Sequence, residues 1–181
     1  MSTAVDPVQN PQAYQTMLIG LVGDDDPAVV QEGTSAALRE VVADAGDHLR
    51  TRPAQGEWSV IELLGHMVDA EIVSSARYRW VIAQVRPPLV GYDQDSWVDA
   101  LGYANADPAE LLATFDALRT ANIALWRRST PEQRARDGLH AERGPESFDL
   151  MFHLIAGHGR FHIDQMRRTL DAVSAVAPSQ T

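Results

Sequence analysis

The stretch HLIAGHGRFHIDQM, His153 to Met166, decides how this chain is read, because its apolar residues and two of its three histidines keep a helical spacing. Met151, Ile155, His158, His162 and Met166 recur at steps of three and four residues, which is one stripe of an α-helix. His158 and His162 therefore lie on the face that such a helix buries. His153 precedes His158 by five residues, about 140° around the axis at 3.6 residues per turn, and falls off that stripe.

Working outward, the same periodicity dominates, and no stretch alternates Val, Ile and Thr strictly enough to predict a strand. Helices are predicted from Pro11 to about Val22 and from Pro27 to about Leu49, the second capped by Asp26 with Pro27 in its first turn. TRPAQGE, Thr51 to Glu57, reads as a loop. The next helix, from Ser59 to about Gln84, opens with a capping box made by Ser59 and Glu62, and Trp58 is placed to pack on Leu63 as a hydrophobic staple. RPPLVGYDQ is an irregular connection, DSWVDALGYA a short helix, and Asp107-Pro108 begins a long helix to about Arg128. Thr130-Pro131-Glu132 starts one further turn, DGLHAERGPES is a loop, and a final helix runs from about Ser147 to near Val176. Four long amphipathic helices predict an all-α four-helix bundle of up-down topology with long connections. Residues 1–10 are read as an N-terminal lead, 11–176 as a single domain and 177–181 as a C-terminal tail.

Bulk properties narrow the function. A chain of 181 residues, 45% hydrophobic and 22% charged, is that of an ordinary globular domain. Its formal charge of −10 would repel a phosphate backbone, so nucleic acid is not an expected partner. The N-terminus lacks a basic region followed by an apolar core, and no run of about 18 apolar residues occurs, so no membrane association is expected and the chain is read as cytoplasmic. With no cysteine, disulfides, thiolate-bound zinc and a cysteine nucleophile are excluded. A phosphate-binding Gly-rich loop, a G-x-S-x-G elbow and H-E-x-x-H are also missing.

A second stripe gives the histidine pair its meaning. On the Ser59 helix, Leu63, His66, Ala70 and Val73 follow the same steps, so His66 also points into the bundle. Alone, the His158/His162 pair is a weak signal, since a lone core histidine is usually a hydrogen-bonded packing residue. Three inward histidines on two helices suit a shared divalent cation, because the i, i+4 pair can chelate one ion from a single helix.

The segment GEWSVIELLGHMVDAE, Gly56 to Glu71, resembles the opening signature of the DinB/YfiT-like superfamily, and HLIAGHGRFHIDQMRRTL resembles its closing signature. YDQDSW and the Leu-Arg of FDALRTAN resemble the family as well, so the likeness spans about Pro11 to Val176. The resemblance implies a four-helix bundle holding a divalent metal on His66, His158 and His162. Where many relatives carry an acidic residue directly after the first histidine of the closing pair, this chain has Gly159. Gly157 and Gly159 each weaken a helix by about 1 kcal/mol relative to alanine. Either another backbone approaches closely there, or a carboxylate that supports the site has been lost.

Three imidazoles leave coordination positions open, as in catalytic sites, and suit zinc, nickel or iron alike. Glu62, four residues before His66 on the same face, is a candidate general base, with the capping box as its competing role. His140, in the predicted loop before the last helix, is a candidate proton carrier, with simple exposure as the alternative. Asp69, Glu71 and Asp164 are further acid–base candidates, Gln165 a candidate partner for a ligand, and Arg77 and Arg160 candidate anion binders. Trp58, Trp80, Trp97 and Trp126 suit either a pocket lining or the core. The resemblance implies two kinds of enzyme acting on a small molecule: a metal-dependent hydrolase, or a transferase or isomerase using an external low-molecular-weight thiol. The alternatives are a non-catalytic metal-binding module and a helical module that dimerises. The resemblance also suggests a homodimer.

Overall fold

A computed structural model describes residues 10–176. Residues 1–9 of the predicted lead and the predicted tail at 177–181 lie outside the described residues. Helices form at Pro11–Val22 (α1), Pro27–Ala45 (α2), Val60–Ala83 (α3), Gln94–Ala100 (α4), Pro108–Arg128 (α5), Pro131–Arg134 (α6) and Phe148–Val176 (α7). Their starts follow from local chemistry. Asn10, Asp26, Asp107 and Thr130 each accept a backbone N–H of the first turn, and each is followed by a proline, whose missing N–H would have had no partner there. Ser59 and Glu62 form the expected capping box. α2 stops at Ala45, short of the predicted Leu49, because Gly46 takes a positive φ of 46° and starts a single 3₁₀ turn, Gly46–His48.

DGLHAERGPES, expected as a loop, is a hairpin. Asp137–His140 (β2) pairs antiparallel with Gly144–Ser147 (β3), and Pro88–Leu89 (β1), inside the connection RPPLVGYDQ, lies parallel to β2. Strands of two and four residues are too short to show a periodicity, and a Cβ on Gly138 would come within 2.8 Å of the Pro87 carbonyl oxygen. The small sheet caps one end of an otherwise helical molecule.

Side-chain pairs across the helices set their directions. Gln31 donates to the Phe152 carbonyl and Arg167 pairs with Glu40, so α2 and α7 run parallel. Glu71–Arg119 and Ser75–Asn122 make α3 and α5 parallel. Arg39–Asp116 and Arg127–Glu32 make α2 and α5 antiparallel, and His66–His158 with Tyr78–Phe148 does the same for α3 and α7. The helices thus close a ring in the order α2, α7, α3, α5, with α2 opposite α3. The expected up-down alternation holds for α2–α3 and for α5–α7. Between them the long connection at 84–107 carries the chain back, so that α3 and α5 point the same way.

Among the described residues the core has a small apolar cluster of Val22, Val30 and Ala156 and two large ones. One contains Leu38, Ile61, Leu64, Met67, Phe115 and Met166; the other contains Tyr78, Trp126, Phe148 and Phe152, with the Trp126 and Phe152 rings stacked at 4.2 Å. Along α3, a buried polar layer separates them. Glu71 Oε1 lies 2.7 Å from Arg119 Nη2, and Asn122 donates to Glu71 Oε2 at 3.0 Å.

The two glycines beside His158 are explained by close packing. A Cβ on Gly157 would stand 2.0 Å from the Leu18 carbonyl oxygen of α1, and one on Gly159 would stand 3.0 Å from Thr34 Oγ1 of α2. Removing both Cβ atoms lets α1 and α2 lie directly against α7. Gly157→Ala is therefore expected to destabilise the fold by about 1–3 kcal/mol, since a main-chain clash outweighs the gain of about 1 kcal/mol in helix propensity. A urea midpoint equal to or above that of the wild type would contradict this.

Candidate metal centre

α3 and α7 bring the three predicted histidines together. One ring nitrogen from each of His66, His158 and His162 lies within 4.8 Å of the others. His66 Nε2 and His158 Nε2 are 3.1 Å apart, close to the spacing of about 3.3 Å that two nitrogens take on a tetrahedral zinc ion. His162 Nδ1–H donates to Gln165 Oε1 at 2.8 Å, which leaves Nε2 with its lone pair free. Gln165 thus orients an imidazole. Among the described residues, the buried His66 Nδ1 has no hydrogen-bond partner, and neither has Oδ2 of Asp69, one turn further along α3. Trp58 lies against His66, with ring centroids 5.2 Å apart, a neighbour that the staple reading did not foresee.

Burial, reinforced by the positive charge its neighbours would carry, holds His66 and His158 well below the ordinary imidazole range, and burial takes His162 down to about 4. Neutral imidazoles are the form that binds a metal. The donor set therefore fits a divalent cation. For the metal-free protein the same shifts set a pH dependence. Between the ordinary value of 6.5 and about 4, the unfolded chain binds more protons than the folded one, so stability falls as pH falls through that window. Urea midpoints of chelator-treated protein should drop between pH values of about 7.5 and 5. A flat profile would contradict the burial of neutral rings.

The other predicted residues separate clearly. Glu62 is 2% exposed and its oxygens are engaged by the Ser59 backbone N–H, the Ser59 hydroxyl and the Arg52 guanidinium. Burial pushes this carboxyl up, but the hydrogen bonds from Arg52 and Ser59 together hold it below its ordinary value. It holds the start of α3 and does not line the cleft described below. Asp69 accepts the Tyr103 hydroxyl at 2.6 Å, and Tyr103 lies where a side chain on Gly65 would be. Glu71 is committed to Arg119 and Asn122. Asp164 pairs with Arg168, and Arg160 with Asp25, both on the surface. His153 contacts the carbonyl of Asp149 at 2.9 Å and stands beside Trp126, off the triad as expected. Trp126 is core, Trp97 pairs with Tyr92, and Trp80 is 39% exposed on the surface of α3.

His140 is not an exposed loop residue. It sits on β2, 1% exposed, because the hairpin folds it inward beside Arg77. Burial, then repulsion from Arg143, holds its imidazole below the ordinary range. His140 and Arg77 line the same cleft as His66 and His158, a space of about 690 Å³ that also reaches Tyr14, Tyr92 and Arg143. These last three were not singled out from the sequence. They come from α1, a connection and the hairpin turn, and only the fold brings them together.

The comparisons with known proteins agree with this architecture. YfiT from Bacillus subtilis, described as a metal-dependent hydrolase on provisional grounds and as having an unusual four-helix bundle topology, superposes with a TM-score of 0.74 at 22% identity, over 92% of this chain and 90% of that one. In sequence, YfiT is 28% identical over 114 residues, 62% of this chain and 64% of its own length. A provisionally named metal-dependent hydrolase from Oceanobacillus iheyensis is 27% identical over 128 residues, 70% of this chain and 73% of that protein. The family model for the DinB superfamily matches residues 31–166, a span that runs from α2 through both histidine helices, and the chain belongs to that superfamily.

Proposed function

We propose that His66, His158 and His162 hold one divalent metal ion and that the protein is a metal-dependent hydrolase of a small molecule bound in the adjoining cleft. The observation that carries this reading is the open side of the triad. His66 and His158 are part of the wall of a cleft of about 690 Å³, whereas a purely structural site would be closed by a fourth protein ligand. An ion held there supplies Lewis-acid polarisation and activation of water. The chain's own residues do the rest: Gln165 fixes the His162 ring, burial keeps the imidazoles neutral, and Leu18, Ala70, Val73, Leu154 and Ile155 give the cleft an apolar wall that displaces water from a bound ligand. The names of the relatives support the same reaction class.

Elemental analysis of the purified protein tests the reading, together with a panel of small esters and amides assayed without added thiol. The expected result is one equivalent of zinc, nickel or iron and a turnover that chelator abolishes and the ion restores. Turnover that needed a low-molecular-weight thiol would assign a transferase instead. No stoichiometric ion in any preparation would sink the metal centre itself.

A further inference from the structure

The cleft wall remote from the triad holds a cation with no ion-pair partner among the described residues. Arg77 follows His66 by eleven residues on α3, which places it on nearly the same face and about 16 Å along the axis. Ala70, Val73 and Ser74 line the cleft between them, with Leu18 of α1 and Leu154 and Ile155 of α7. The space is therefore a trough, apolar along its middle, with the triad at one end and the hairpin at the other. Arg77 is 8% exposed, and among the described residues no carboxylate stands within ion-pair distance of it. The nearby acids are occupied: Glu71 by Arg119, and the fully buried Glu146 by Arg143 and Gln15. Arg77 Nη2 donates to the Val90 carbonyl, and Nε is buried without a partner among the described residues.

The second observation is a mismatch of donors. Neutral His140 accepts the Glu142 backbone N–H on Nδ1 at 3.3 Å, which puts its ring proton on Nε2. That nitrogen is 3.4 Å from Arg77 Nη2, and a guanidinium can only donate. With the proton on Nδ1, Nε2 can accept from Arg77 and the Glu142 N–H is left to the exposed turn. In both tautomers Arg77 Nε keeps no partner among the described residues, and an oxygen placed between Arg77 and His140 would accept from the guanidinium and, in the first tautomer, from His140 as well. At this end Arg143 is paired with Glu146, which leaves Arg77 as the buried cation without an ion pair among the described residues. Asp93, Asp95 and Glu142, exposed on the rim, would repel a dianion more than a monoanion.

We propose that Arg77 and His140 are the recognition site for a carboxylate group of the substrate. The substrate is then elongated, with a carboxylate held at the hairpin, an apolar middle along α3 and α7, and its reacting bond at the triad. This last placement rests on the hydrolase reading; the carboxylate site does not.

The test uses metal-stripped protein titrated with straight-chain carboxylates from butanoate to decanoate and with the corresponding primary amides, followed by NMR chemical shifts. A carboxylate is expected to bind about tenfold to a hundredfold more tightly than its amide, the worth of one charged hydrogen bond. Arg77→Gln should abolish that preference and His140→Gln should reduce it; the wild-type comparison needs no variant, should Arg77→Gln fail to fold. Equal affinity of acid and amide, absence of saturable binding across the whole series, or a preference that survives Arg77→Gln overturns the proposal. So does carboxylate binding seen only with metal restored and lost in His158→Ala, an outcome that would leave the hydrolase reading standing. A preference in a protein that never holds an ion would do the reverse.

Discussion

His158→Ala is expected to release the metal and, with it, turnover and a measurable part of the stability. Loss of a group that merely supports a metal ligand typically weakens binding 10- to 100-fold, so loss of one of three ligands should exceed about a hundredfold. An ion present at about a hundred times its Kd stabilises the native state by about 2.7 kcal/mol. For a chain of this size that is about 5–10 °C in Tm. Chelator should therefore lower the Tm of the wild type by that amount and leave His158→Ala unmoved. Gln165→Leu, which removes the acceptor from His162 Nδ1, should show the weaker effect of a supporting group, with the ion retained at higher Kd. A chelator-sensitive Tm in His158→Ala would show that the ion sits elsewhere.

The largest effect on folding is expected in the polar layer of the core. Arg119 and Glu71 are 3% and 1% exposed, and Arg119→Met would leave the Glu71 carboxylate buried opposite nothing but Asn122. Breaking a buried pair from one side costs about 3–5 kcal/mol, or about 6–20 °C in Tm here. Glu71→Gln combined with Arg119→Met keeps an acceptor for Asn122, removes the stranded charge and should recover most of the loss. The pH dependence identifies the cause. Burial already pushes the Glu71 carboxyl up, opposed by the Arg119 charge, and without Arg119 it should rise further. A folded value above the unfolded one means that stability is lost as pH rises through it, so Arg119→Met should be penalised less at pH 5 than at pH 8. A penalty that is the same at both pH values would point to lost packing and not to the carboxylate.

Helix starts were readable because they are local. Asp26-Pro27, Asp107-Pro108, Thr130-Pro131 and the Ser59–Glu62 box act within four residues of chain, and each stands where its cap chemistry places it. The hairpin was not readable, because β2 and β3 owe their pairing to one another and to Pro88–Leu89, some fifty residues earlier. His140 illustrates the consequence. In a loop it would be exposed; on β2 it is driven into the cleft beside Arg77, whose direction on α3 was visible but whose lack of an ion pair among the described residues was not. Glu62 met both of its expected descriptions in sequence, and the arrival of Arg52 from the preceding loop favours the cap.

By itself, the chain's pattern determined the helices, the buried stripes and the inward facing of His66, His158 and His162, because helical periodicity converts spacing directly into direction. Gly157 and Gly159 were visible as an anomaly in a helix, but only the tertiary structure supplied the reason, the Leu18 carbonyl and the Thr34 side chain lying where their Cβ atoms would be. The parallel course of α3 and α5, the meeting of the triad with a cleft, and the absence of an ion pair to Arg77 among the described residues were likewise decided by tertiary packing. Each depends on distances between residues far apart in the chain, which spacing along one helix does not encode.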